Sequence, residues 1–210
     1  MRNEKEGMVV DLKTKDAQEA FARVDTIHWV SHVAMLSMSR YRDILSNRQA
    51  FSVLFPNVTF ENPKINHKVG DHGSLLTTTK KELLAKNNYD LYKAWQIVLA
   101  IAGMSSILEY YLKTVAESLT EHDCQAMGIF HRFKDETGVR ITEFPDYKRL
   151  RHFYELRNIS LHNLGRINER FKKKTAEPHH RDGPYIYYPS QVTEYRDILK
   201  LFFSFVEDRL

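Results

Sequence analysis

The chain has 210 residues, 42% of them hydrophobic, one cysteine and a formal net charge of +4. That suffices for one well-packed domain, or one domain with an elaborated end, and excludes both a small disulfide-stapled scaffold and a large multidomain enzyme. The longest apolar stretch, Ile97 to Met104, is broken by Gly103 and followed by Ser105, Ser106 and Glu109, so no segment is expected to approach the ~20 apolar residues of a membrane-spanning helix. The start, Met-Arg-Asn-Glu-Lys-Glu-Gly, lacks a signal-peptide core, and Cys124 has no partner for an internal disulfide. A soluble, cytoplasmic protein with no membrane partner is the expectation. The mildly basic balance permits a nucleic-acid partner without diagnosing one.

Few glycines and prolines (8 and 6) favour helices throughout. The first is expected from Lys15 to Ser46, on a stripe of Ala20, Phe21, Val24, Ile27, Val30, Ala34, Met35 and Met38, either continuous or broken near Ser37 or Ser39. Residues 47–79 carry Pro56, Pro63, Gly70 and Gly73. They read as an irregular insertion with a short strand at Val58 to Phe60, a length of loop that is usually functional or mobile. A second helix is expected over Asn88 to Leu119, capped by Asn87 or Asn88. It is apolar on more than one side through Leu91, Trp95, Val98, Leu99, Ala102, Ser106, Leu108, Tyr110, Leu112 and Val115, so it should run through the core. A third covers Glu121 to Thr137 and stops at Gly138.

The fourth helix begins near Pro145, where proline suits a first turn, and runs on Leu150, Phe153, Leu156, Leu161 and Leu164 to about Gly165. A basic connector, Lys172 to Pro184, leads to Tyr185-Ile-Tyr-Tyr, read as a short strand. The last helix, capped by Ser190, spans Gln191 to Asp208 with Val192, Tyr195, Ile198, Leu199, Phe202, Phe203 and Val206 inward. The fold class is all-α: an antiparallel helix bundle with a long insertion after the first helix and a short strand near the last one. Residues 1–87 form an amino-terminal helix and irregular region packed on the same domain, and 88–210 form the bundle.

The segment that carries chemistry is Glu155-Leu-Arg157-Asn158-Ile-Ser-Leu-His162-Asn-Leu-Gly-Arg166. On a continuous helix, Asn158, His162 and Arg166 fall at i, i+4 and i+8 on one face. Arg157 lies roughly 140° from His162, and its i±4 neighbours are Phe153 and Leu161. A guanidinium beside apolar positions must find a partner or share a crevice with another surface.

The Arg157-Asn158-x-x-x-His162 string late in an all-helical chain resembles the signature of the HEPN superfamily (higher eukaryotes and prokaryotes nucleotide-binding domains). The earlier Ser-Ile-Leu-Glu109-Tyr-Tyr-Leu-Lys resembles that family's acidic core helix, and the resemblance covers Asn88 to Asp208. It implies a homodimeric endoribonuclease that needs no metal or cofactor and cleaves RNA through its own 2′-hydroxyl in a groove shared by both subunits. Arg157 would hold the scissile phosphate, His162 would transfer a proton or orient the 2′-hydroxyl, and Asn158 would position one of them. The chemistry suits these groups. An imidazole of pKa ~6.5 exchanges protons near neutrality, and a guanidinium offers forked hydrogen bonds to a phosphate as charge builds. The resemblance further points to a toxin or phage-defence component with an antitoxin such as a nucleotidyltransferase-type partner.

Around these catalytic candidates, Arg166, Glu109, Lys172 and Lys173 are the expected substrate-binding residues. Glu109 either pairs with Arg157 or faces solvent. The run from Arg170 to Lys174 either lines the RNA approach or is a solvated linker. A non-catalytic module of the same type, binding RNA, nucleotide or a protein through the same groove, is the alternative function. Other signals are weaker. His28 and His32 have chelating i, i+4 spacing but no third ligand, and neither a thiol nucleophile at Cys124 nor a glycine-rich phosphate loop is supported. Tyr185, Tyr187 and Tyr188 would either stack on unpaired bases or pack on the core.

Overall fold

Side-chain oxygens close off the start of the first helix, α1 (Lys15–Ser46). Thr14 Oγ1 accepts the Ala17 N–H at 3.2 Å, while the Glu207 carboxylate accepts the N–H groups of Lys13 at 3.1 Å and Thr14 at 2.6 Å. These are donors a helix start otherwise leaves unpaired, and the carboxylate also complements the positive end of the helix dipole. The computed structural model describes residues 11–54, 64–69, 74–79, 86–120, 123–125, 128–162, 165–175 and 183–210. Among them the remaining elements are α2 (Arg48–Leu54), β1 (Lys64–Val69), β2 (Ser74–Thr79), α3 (Lys86–Thr120), α4 (Ile129–Thr137), a 3-10 turn (Ile141–Glu143), α5 (Tyr147–His162), β3 (Arg166–Ile167), α6 (Glu169–Thr175), β4 (Gly183–Pro184) and α7 (Ser190–Glu207). The all-α class and the excursion after α1 are therefore as the sequence implied, and the short strand expected near the last helix is replaced by a two-residue hairpin pairing just before it.

Contacts divide the chain into two units, Met1–Trp29 with Ile97–Leu210, and Val30–Gln96. In the first, α1 runs antiparallel to α7: Lys13 pairs with Asp208, Asp25 with Arg196, and His28 with Thr193. It is also antiparallel to α3. Gly103 lets the helices approach so closely that a Cβ there would sit 2.9 Å from Ile27 Cδ1, and Arg23 lies over the Tyr110 ring. The core joins α3, α5 and α7. Tyr111 packs on Phe203, Phe153 stacks on Tyr195 at 4.8 Å, and the fully buried Tyr195 hydroxyl meets Ser105 Oγ at 2.9 Å. Helix α4 is bounded by two left-handed glycines, Gly128 and Gly138, each at φ 78°, and docks on α5 through the Phe130–Tyr154 stack.

The second unit holds the rest of α1, the helix α2 with the Asn47 side chain accepting the Ala50 N–H at 3.1 Å, and the antiparallel pair β1–β2, Lys64 opposite Thr79 and Val69 opposite Ser74. The expected strand at Val58 to Phe60 lies outside the described residues.

Helix α1 is unbroken at Ser37 and Ser39. Several expectations need correction. Val30 is exposed rather than inward. In α3, Leu91, Trp95, Leu99 and Tyr110 are exposed, so one side of that helix faces outward and only the other is core. The third helix begins at Ile129, not Glu121, because Gly128 turns left-handed immediately before it and residues 123–125 have no helical pairing. Tyr185 to Tyr188 is not a strand; the pairing is made one step earlier, with Arg166 opposite Pro184 and Ile167 opposite Gly183. Ser190 is the first helical residue and makes no cap. Gln191 instead accepts the Tyr188 N–H at 2.8 Å.

A further correction concerns α3. The stretch Asp90–Thr120 is long and apolar enough, by length and composition, to cross a membrane, contrary to the expectation that no segment approaches this. Gly103 and the following serines do not interrupt it, since Ser105 and Ser106 bond back to the carbonyls of Ile101 and Ala102 and so satisfy their hydroxyls within the helix. Its inward side, Ile97, Ile101, Met104, Leu108 and Leu112, is packed on protein.

Candidate functional site

Leu150, Phe153, Leu156 and Ile159 recur at helical spacing and are buried, which fixes the rotation of α5 and leaves Arg157 and Asn158 half-buried at the edge of the core. Across from them α3 presents Glu109, itself only 8% exposed. Arg157 Nη2 lies 3.6 Å from Glu109 Oε2, and the Tyr154 hydroxyl donates to Glu109 Oε1 at 2.5 Å. Burial, then that hydrogen bond, pushes the Tyr154 hydroxyl pKa up, so it stays a donor. Glu109 thus pairs with Arg157 rather than facing solvent. Arg157 Nε is buried with no hydrogen-bond partner among the described residues.

Asn158 links two ion pairs. Its Oδ1 accepts from Arg157 Nη1 at 3.0 Å and its Nδ2 donates to Glu155 Oε2 at 3.3 Å. Glu155, 2% exposed, is held in turn by Arg151 Nη2 at 3.1 Å and Lys174 Nζ at 2.9 Å. A continuous polar layer thus runs from α3 through α5 to α6, with two carboxylates against three cations. Buried charges of this kind persist only when paired and hydrogen-bonded, and they hold one another in fixed geometry.

His162 is the last residue of α5 and is exposed. Because α5 is regular throughout, five residues separate it from Arg157 by roughly 140° of rotation and about 7.5 Å of rise. Leu161, on the Arg157 side one turn on, is also exposed. Arg166 does not continue the helical face shared by Asn158 and His162. Gly165, at φ 69°, turns the chain there, its N–H donating to Ile159 O at 3.0 Å, and Arg166 sits exposed on β3.

The basic run is helix α6 rather than a connector. Lys172 pairs with Glu169 at 2.8 Å, Lys173 is exposed, and Lys174 reaches Glu155. The structure therefore groups Glu109, Arg157 and Asn158, and sets His162, Arg166, Lys172 and Lys173 outside that layer. It adds Tyr154, Arg151, Glu155 and Lys174, which sequence reasoning missed. Glu155 carried a usable signal: it stands four residues before the buried Ile159, where a carboxylate must be paired. Lys174 carried none.

The tyrosines after β4 divide by side. Tyr185 meets His152 Nε2 at 3.1 Å and receives Gln191 Nε2 at 2.8 Å, and Tyr187 meets Ser160 Oγ at 2.6 Å, whereas Ile186 and Tyr188 are exposed. His28 bonds Thr193 at 3.0 Å. Among the described residues no three His, Cys, Asp or Glu side chains converge as a metal ion requires. Compared with known proteins, the chain matches no family model, no curated protein and no solved structure.

Proposed function

We propose that this chain is a metal-independent endoribonuclease of HEPN type, cutting RNA by 2′-hydroxyl attack in a groove formed by two copies. The observation that carries the reading is Arg157: a guanidinium oriented by Glu109 and Asn158, its buried Nε unpaired among the described residues, on the helix that ends in an exposed imidazole. Such a cation is set in advance for phosphate, at little reorganisation cost when charge develops. The rotation between Arg157 and His162 favours a composite site, in which a two-fold axis brings one protomer's arginine to its partner's histidine. Exposed Leu161 beside Arg157 is apolar surface suited to such a contact. The toxin or phage-defence role and the antitoxin partner rest on the motif resemblance alone.

The second reading, a non-catalytic module that binds RNA or nucleotide, draws on Glu109, which already offsets the Arg157 charge. Incubation with mixed-sequence RNA in excess EDTA separates the two. Fragments ending in cyclic phosphate, lost on His162→Ala with folding and dimer intact, support cleavage. Intact RNA with salt-sensitive binding supports the module. A monomer at micromolar concentration by light scattering overturns the shared groove.

A further inference from the structure

We propose that a cavity between α4 and the start of α5 is a binding site for a small phosphomonoester of nucleotide size. The cavity encloses about 440 Å³, within the ~300–1,000 Å³ range of small-molecule sites. Its polar lining is His131 and Lys134 from α4, Arg140 just before the 3-10 turn and Thr142 within it, and Tyr147 and Arg151 from α5. Among the described residues no lining side chain is acidic. Two carboxylates outside the lining pair with its arginines and are each shared with a second cation. Glu143 lies 3.9 Å from Arg140 but 2.7 Å from Arg209, and Glu155 is shared between Arg151 and Lys174.

Arg151 is the fixed element of the site. Its side chain is only 16% exposed; Nη2 is held by Glu155, and Nη1 donates to the Tyr147 hydroxyl at 3.2 Å. A guanidinium held at both ends has little rotamer freedom left to lose when an anion arrives. Lys134 and Arg140 are exposed cations of the lining, and Thr142 supplies a hydroxyl. Tyr147 opens α5, so the positive end of that helix dipole lies at the same wall. The lining's three permanent cations, two of them partly offset by Glu143 and Glu155, favour an anion, and a terminal phosphate carries more charge and more acceptor oxygens than an internal phosphodiester. His131 adds a neutral or protonated donor as the ligand requires. The apolar remainder, Phe130 and Ile141, leaves room for the organic body of the ester. None of this uses His162 or depends on RNA cleavage.

Calorimetric titration of the full chain tests the site with four probes: a nucleoside 5′-monophosphate, the corresponding nucleoside, inorganic phosphate, and a short oligoribonucleotide without terminal phosphates. The monophosphate is expected to bind, inorganic phosphate to compete with it, and the nucleoside to bind at least about tenfold more weakly, as the loss of charge-assisted bonds implies. The double variant Lys134→Gln, Arg140→Gln changes two exposed side chains and should keep its melting temperature while weakening monophosphate binding by about tenfold or more. Equal binding of nucleoside and monophosphate, binding of neither, or an unaffected double variant overturns the proposal. An unphosphorylated oligoribonucleotide displacing the monophosphate at equal concentration overturns the commitment to a monoester.

Discussion

Glu109 divides its carboxylate between two residues of one helix: Oε2 faces Arg157 Nη2 at 3.6 Å, while Oε1 takes the Tyr154 hydroxyl proton at 2.5 Å. Both partners lie on α5, so the acid on α3 fixes the rotation of the helix that carries the motif. Removing the charge should cost more than a surface pair would, because Glu109 is buried and Arg157 is only 21% exposed at its side chain. Glu109→Gln is expected to destabilise by about 1–3 kcal/mol in urea denaturation. A double-mutant cycle with Arg157→Gln should return a coupling above about 1 kcal/mol. Additive losses would show that the two side chains do not depend on each other.

How much of this layer was legible in the sequence follows from distance along the chain. The Arg157–Asn158 contact and the Asn158–Glu155 contact are local, and helical spacing alone places those residues together. Glu109 stands 48 residues before Arg157, and periodicity could mark both as polar groups at apolar boundaries without pairing them. Lys174 was hidden because both readings of the basic run, an RNA approach path and a solvated linker, leave it outside the core, whereas Phe171 and Thr175 bury one side of α6 and Asn168 caps it by accepting the Phe171 N–H at 2.9 Å. The helices α1, α3 and α7 were readable because their buried stripes are long, whereas α4 was mistaken at its start, where a left-handed glycine at 128 overrides the helical propensity before it. The outward side of α3 shows the limit of the pattern: Leu91, Trp95 and Leu99 have core composition yet are exposed.

Acid should weaken the fold through His131. Burial lowers its pKa, and Arg151 and Lys174 lower it further, against an opposing pull from Glu155. The unfolded chain, with an ordinary imidazole pKa of ~6.5, then binds the proton more readily than the folded one. This contribution to stability is complete above the unfolded value and is lost as pH falls below it toward the folded value. His131→Gln should therefore flatten the decline of the urea midpoint between about pH 7 and pH 5, and an imidazole NMR titration of the parent should give a pKa below that of a model peptide. A titration at or above the model value would remove the effect.

The Ser105 hydroxyl completes the only polar atom of Tyr195, which is 0% exposed and whose hydroxyl lies 2.9 Å from Ser105 Oγ. Ser105→Ala strands that hydroxyl in the core and should cost about 1–3 kcal/mol. Tyr195→Phe added to it should cost little more than Ser105→Ala alone, because the stranded group is gone. Thermal melts of the single and double variants decide this, and strictly additive shifts would mean that the hydrogen bond carries no stability.

Gly165 and Gly138 provide a matched pair for separating backbone strain from crowding. Both have positive φ, 69° and 78°, but a Cβ at 138 would meet nothing within 4 Å, whereas one at 165 would sit 2.9 Å from Tyr187 Oη. Gly138→Ala should cost about 1 kcal/mol from the left-handed conformation alone. Gly165→Ala carries that cost and also presses on a hydroxyl bonded to Ser160 at 2.6 Å, so about 2 kcal/mol is expected in total. Removing the hydroxyl with Tyr187→Phe leaves the next ring atom at 3.6 Å, an ordinary contact. The Gly165→Ala, Tyr187→Phe double variant should then lose less than the sum of the single losses by urea denaturation. Equal effects at 138 and 165 would show that Tyr187 yields freely and that the turn ending the motif helix is not packed by it.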